Sequence, residues 1–214
     1  MNYYVRFSRL VFGLFLFSLG IFLTIQADIG LAPWEAFSIG VSDATGLSYG
    51  DVVVLSGLLI LVIDYLLKEK IGMGTLLNAI LIGKFVDLIA YFDIIPMADG
   101  FLSGIPMLLA GQIILCIGSY YYIGAALGCG PRDALMVALG KRLPTIPIGA
   151  VRGAIEASVL LIGYLLGAKV GIGTVISVFG IGFILQWVFR LFRFNVRAVQ
   201  HESILYTAKA IAKR

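Results

Sequence analysis

The sequence predicts an all-α polytopic membrane bundle of six transmembrane helices. They form two inverted three-helix repeats, each with an extra short helix, re-entrant or interfacial. Three observations predict this fold. First, the 214 residues are 60% hydrophobic and 13% charged, with a mean hydropathy of +1.02. Soluble domains hold about 45–50% apolar and about 25% charged residues, so polar side chains are too few here to cover a globule or to sustain disorder. Second, the apolar residues fall in runs long enough to cross a bilayer. Third, the chain repeats itself.

The duplication is carried by residues that chance similarity between apolar helices rarely aligns. Ile63–Thr75 (IDYLLKEKIGMGT) lies over Ile162–Thr174 (IGYLLGAKVGIGT) with eight of thirteen positions identical, at an offset of 99. Upstream, Ile29–Ala36 (IGLAPWEA) lies over Leu127–Ala134 (LGCGPRDA) at an offset of 98. Gly13 then falls on Gly111, Gly20 on Gly118 and Gly83 on Gly182.

The first repeat, 1–99, opens with a long helix over about 8–26. Arg6 and Arg9 before that apolar run imitate a signal peptide, but its equivalent later in the chain argues against cleavage. A Gly/Pro turn follows, then a short helix over about 33–44 and long helices over about 50–67 and 73–92. The second repeat, 100–193, has the same parts over about 104–126, 131–141, 148–167 and 172–192, and 194–214 is a basic tail. Pro33 and Pro131 suit a first helical position, where no N–H is lost. Glu35 and Asp133 follow in the first turn, where a carboxylate favours the positive end of the helix dipole. Gly46 and Gly140 are the expected ends of the short helices. Twelve residues reach about 18 Å, too short to cross. Trp34, Phe37 and Val41 against Glu35, Ser38 and Ser42 make the first short helix passably amphipathic, so lying flat competes with dipping inward.

Charge sets the expected topology. With six crossings, 13 of 16 basic residues share one side: Arg6, Arg9, Lys68, Lys70, Arg132, Lys141, Arg142, Arg190, Arg193, Arg197, Lys209, Lys213 and Arg214. The other side holds Lys169 with Asp28, Glu35, Asp43, Asp51, Asp93 and Asp99. The positive-inside rule places the first set, with both termini, in the cytoplasm. Three crossings per unit is odd, so the second unit is inverted. Arg190, Arg193 and Arg197 are expected on one helical face as an anchor to anionic lipid.

Ionisable groups within the membrane are the candidate site. Lys84 and Asp87 lie three apart in one helix, Arg152 and Glu156 four apart in another, and either spacing allows an in-helix ion pair. A charge at bilayer depth costs about 2.5–3.5 kcal/mol on the insertion scale, so these groups face protein or water. Asn78, Gln112 and Gln186 add polar groups at similar depth, while Asp64 and Arg190 lie near helix ends where solvation explains them. The candidate substrate-binding set is Arg132, Asp133, Arg152, Glu156, Lys84, Asp87, Asp28 and Glu35. The half-helix motifs add Gly30, Pro33, Trp34, Gly128, Gly130 and Pro131. The competing reading is that each pair neutralises itself and locks helices together. Cys116, Cys129 and the lone His201 form no metal or haem ligand set, so no cofactor is expected. Cys129 has no histidine beside it, and an enzyme is not expected.

These motifs carry a resemblance. Ala27–Ala36 (ADIGLAPWEA), Gly128–Met136 (GCGPRDALM), Gly149–Arg152 with Glu156, and Gly171–Thr174 resemble the YczE/YyaS/YitT group of bacterial inner-membrane proteins, over almost the whole chain to about residue 193. Where that family more often reads Pro-Trp-Asp, Glu35 stands here and keeps the charge. The resemblance implies a multi-pass plasma-membrane protein and points to no substrate. The expected function is a small-molecule permease or exporter with a polar site between the repeats; the alternative is a non-transporting scaffold or regulator. The lipid bilayer is the expected partner, a homo-oligomer is compatible, and nucleic acid is not expected.

Overall fold

The structure is a computed structural model that describes residues 2–212. The first half comprises α1 (Tyr3–Gln26), α2 (Pro33–Thr45), α3 (Tyr49–Leu66) and α4 (Met73–Phe92). The second half comprises α5 (Phe101–Gly124), α6 (Pro131–Arg142), α7 (Ile148–Leu165) and α8 (Ile172–Leu191). A 3₁₀ turn (Val196–Ala198) and α9 (Ile204–Ala212) close the chain. No strand occurs among the described residues. Six helices, α1, α3, α4, α5, α7 and α8, are long and apolar enough to cross a membrane; α2 and α6 are not.

The α1–α5 pair is the centre of the bundle and its most extensive helix contact. Glycines make it close. A Cβ on Gly13 would lie 2.9 Å from the Gly118 carbonyl oxygen, and one on Gly111 would lie 2.8 Å from that of Gly20. Small residues let membrane helices approach in this way. Leu10, Leu14 and Cys116 are fully buried beside the crossing. Outside the pair, α4 packs on α1 and α8 on α5, while α2 lies along α7 and α6 along α3.

Loop hydrogen bonds gather the helix ends into two groups. On one side, Gly74 N–H donates to Leu127 O (2.8 Å), Ile204 N–H to Ile71 O (3.0 Å) and Arg142 to Leu67 O (2.8 Å). On the other, Gly173 N–H donates to Ile29 O (2.8 Å), Leu31 N–H to Lys169 O (3.0 Å) and Ala98 N–H to Gln26 O (2.8 Å). The Gly74–Leu127 and Gly173–Ile29 bonds exchange equivalent positions of the two halves. So do the helix-opening bonds from Gly72 N–H to Thr75 Oγ1 (3.1 Å) and from Gly171 N–H to Thr174 Oγ1 (3.2 Å).

Four expectations need correction. Gly140 does not end its helix: α6 runs on to Arg142, whose Nη1 donates back to the Ala138 carbonyl at 3.0 Å. Lys84 and Asp87 do not pair along α4. Lys84 reaches across to Asp51 (2.6 Å), and Asp87 accepts from the Ser48 hydroxyl (2.6 Å) and Gly50 N–H (2.8 Å). The open N–H groups at the start of α3 draw the carboxylate away from its helical neighbour. Asp64 is not solvated at a helix end. It is fully buried, with neither carboxylate oxygen hydrogen-bonded, because α6 packs along α3.

The fourth concerns the tail. Arg190 and Arg193 do not share a continuous helix, because α8 stops at Leu191 and Arg193 turns with φ 49°. Phe192 and Phe194 pack on Tyr120 there, with ring centroids 4.6 and 5.2 Å away. The tail then docks on the bundle: Glu202 accepts from Arg6 (2.5 Å), Tyr3 (3.1 Å) and Thr207 (3.1 Å). The Arg197 side chain, Lys213 and Arg214 lie outside the described residues.

Candidate functional site

Each short helix is launched by the same irregular backbone. Asp28 and Ala126 hold φ of 50° and 58°, and two residues on, Gly30 and Gly128 hold 123° and 137°. A Cβ at Gly30 would lie 2.6 Å from Gly171 N, and one at Gly128 would lie 2.5 Å from Thr75 Oγ1, so glycine is required by both φ and space. Pro33 and Pro131 then begin α2 and α6, with Glu35 and Asp133 in the first turns. α2 is held against α7 by a backbone-level contact of Ala36 with Gly163.

The two N-termini meet. The Arg132 guanidinium carbon lies 4.2 Å from the centroid of the Trp34 ring, a cation–π contact between the short helices. Beside it is a cavity of about 250 Å³, whose polar lining includes Glu35, Asn78, Tyr122, Asp133, Arg152 and Glu156. Arg152 Nε donates to Glu156 Oε1 at 2.7 Å, so the pair anticipated from spacing is formed. The Arg152 side chain is still 54% exposed, which leaves the rest of its guanidinium free to meet a ligand. The Tyr122 hydroxyl donates to Asp133 Oδ2 at 3.4 Å.

Glu35 and Asp133 differ in access but share a cause of perturbation. Glu35 is 8% exposed, whereas Asp133 presents an open face to the cavity. Burial among protein atoms raises both carboxyls above the ordinary range, opposed at Glu35 by Arg132 and at Asp133 chiefly by Arg152. Burial lowers the His201 imidazole, against the pull of Asp133. Burial also pushes the Cys129 thiol up to about 11, so it carries little thiolate near neutral pH.

Of the sequence-predicted set, Glu35, Arg132, Asp133, Arg152 and Glu156 converge on this cavity, with Pro33, Trp34, Gly130 and Pro131 in its wall. Gly30 and Gly128 shape the turns behind it. Asp28, Lys84 and Asp87 lie outside it: Asp28 pairs with Lys169 (2.6 Å), and the other two tie α4 to the start of α3. Asn78 lines the cavity, Gln112 is buried and donates to Ser177 (3.0 Å), and Gln186 is exposed. Tyr122 is the member that sequence reasoning missed. It sits in a run of three tyrosines, and nothing local marks which one turns inward.

Membrane-length helices around a cavity lined by charged groups define a polytopic integral membrane protein of the all-α class. The chain belongs to the family of unknown function DUF6198, whose model matches residues 4–190. It is similar to an uncharacterized protein of Haemophilus influenzae, 33% identical over 184 residues that cover 86% of this chain and 83% of the relative. It is also similar to two Bacillus subtilis proteins. The uncharacterized membrane protein YczE is 29% identical over 185 residues, 86% of this chain and 85% of its own. The uncharacterized protein YyaS is 28% identical over 170 residues, 78% and 83% respectively. No solved structure matches.

Proposed function

We propose that this protein is a small-molecule permease or exporter of the bacterial inner membrane, with both termini cytoplasmic and its site in the cavity between two inverted repeats. One observation carries the reading: the Arg132–Trp34 contact at 4.2 Å. Residues 28–31 bond to the 169–173 side, and the far end of α6 bonds to the opposite side through Arg142 and Leu67. Short helices lying flat in opposite interfaces would stand about 30 Å apart. Their touching N-termini therefore support re-entrant helices that meet at mid-depth, where transporters of inverted topology bind their substrates. The buried Glu35 and Ser38 support the same placement, since an interfacial helix turns its polar face to water. The exchanged hydrogen bonds of the two halves support the inverted repeat, and the basic residues on one side support the orientation.

The in-helix Arg152–Glu156 bond also suits a scaffold whose charges only neutralise each other. A double-variant cycle separates the two. Arg152→Met alone strands Glu156; because the Arg152 side chain is 54% exposed, the expected loss is at most about 1 kcal/mol. Arg152→Met with Glu156→Gln removes both charges and restores thermal stability in detergent. As a transport site, the stable double variant loses uptake in a proteoliposome screen of pooled labelled solutes. Wild-type flux in the double variant would return the pair to a structural role.

A further inference from the structure

The two halves exchange their contacts almost everywhere. α1–α4 is matched by α5–α8, α2–α7 by α6–α3, and α2–α3 by α6–α7. Two pairs break the rule, both on the side of α8: α4 packs along α3 and touches α6, but α8 has no comparable contact with α7 or α2. Glycines record the difference. A Cβ on Gly50 would run into the Gly83 carbonyl oxygen and the Asp87 carboxylate. Their equivalents 99 residues on are Gly149 and Gly182, and a Cβ at either meets nothing within 4 Å. The polar clasp is one-sided too. Ser48, Asp51, Lys84 and Asp87 tie α3 to α4. At the equivalent positions stand Pro147, Ala150, an exposed Phe183 and an exposed Gln186. The cavity lies against this gap, with Arg152 and Glu156 of α7 and Val178 and Gly182 of α8 in its wall.

We propose that the protein is a two-state gated carrier and that this structure is the state open between α7 and α8, an inference that rests on the permease reading above. In the other state Gly149 closes on Gly182 as Gly50 now closes on Gly83, and α3 parts from α4. Duplicated halves make both closures the same glycine-on-glycine contact, so one half supplies the geometry the other adopts. The start of α7 follows Arg142 and Leu143 on the tail side, so the present opening faces the cytoplasm.

The test needs no substrate. The reporter is Asn78→Cys in a background without Cys116 and Cys129, labelled by an impermeant thiol reagent in right-side-out and inside-out vesicles. Gly182→Leu fills the gap and obstructs closure, so cytoplasmic labelling persists and labelling from outside falls at least about fivefold, the effect of an overpacking penalty on a two-state equilibrium. Gly50→Ala forces α3 from α4 and shifts the ratio the opposite way. Gly149→Cys with Gly182→Cys forms a disulfide under mild oxidation, which slows cytoplasmic labelling. Overturning results are Gly182→Leu leaving both labelling rates unchanged, or no disulfide forming between positions 149 and 182. Flux that persists in the cross-linked protein sinks the two-state gate and leaves the permease standing. Gating without flux of any solute sinks the permease and leaves the motion.

Discussion

At the scale of single residues, the charges within the bundle divide by what they touch. Arg132 is spread over an indole, Arg152 is bonded to Glu156, and Asp87 accepts from two groups at the start of α3. Asp64 stands apart, fully buried with no hydrogen bond to either oxygen. Its equivalent in the second half is Gly163, which α2 approaches at backbone level, so one position serves opposite needs in the two halves. Burying a polar group without a partner costs about 1–3 kcal/mol by mutational measures, and a charge costs more. Asp64→Asn is therefore expected to raise the unfolding midpoint in detergent at pH 8, by the equivalent of about 1–2 kcal/mol. A lower midpoint would assign the carboxyl a stabilising partner. A guanidinium stacks on an aromatic face in a way an ammonium does not. Arg132→Lys is thus expected to keep the fold and weaken the contact of the two short helices, read as a rise in Trp34 exposure to an aqueous quencher.

At the scale of helices, two kinds of contact hold the bundle. Polar clasps work at helix starts, and there the side chains are unequal. Asp87→Leu removes two hydrogen bonds to α3 and is expected to cost about 2–3 kcal/mol. Lys84→Met breaks only a half-exposed ion pair with Asp51, 53% and 44% exposed, and is expected to cost at most about 1 kcal/mol. Equal losses would revive an in-helix Lys84–Asp87 pair. The second kind is glycine contact. A Cβ at Gly20 would lie 2.5 Å from Leu115 N, so Gly20→Val is expected to destabilise by about 1–3 kcal/mol or to block assembly of α1 on α5. Gly153 in α7 meets nothing within 4 Å, and Gly153→Ala is expected to be neutral or to stabilise by about 0.5–1 kcal/mol. Thermal unfolding of both variants in one detergent makes the comparison.

At the scale of the whole molecule, the helix ends collect on two sides, and the orientation between them is a claim about the membrane. Exposed positions test it. Single cysteines at Asp43, Asp99 and Lys169 are expected to react with an impermeant reagent on intact cells, and those at Lys70 and Lys141 to stay silent until the membrane is opened. Labelling at position 70 from outside would defeat the six-crossing arrangement. His201, another basic-side position, is a poor reporter because its Nδ1 is buried under the docked tail.

Much of this was determined by the sequence alone. Composition decided the class, because a chain this apolar has no soluble solution. Apolar run lengths, with Pro33, Pro131 and Gly46 as punctuation, placed eight helices to within a few residues, because those signals act locally through backbone geometry. Five of eight candidate site residues were legible because the repeat aligned Pro33-Trp34-Glu35 with Pro131-Arg132-Asp133, and Arg152 and Glu156 lie one turn apart. Tertiary structure decided the rest. A partner across a helix hairpin has no fixed sequence spacing, so Asp51 for Lys84 and Ser48 for Asp87 were invisible, and Asp64 passed for a solvated end. The inward turn of Tyr122 and the docking of Glu202 on Arg6 likewise depend on what packs against them. The gap between α7 and α8 was hidden for a deeper reason: the two halves encode nearly the same helices, and only packing decides which half is closed.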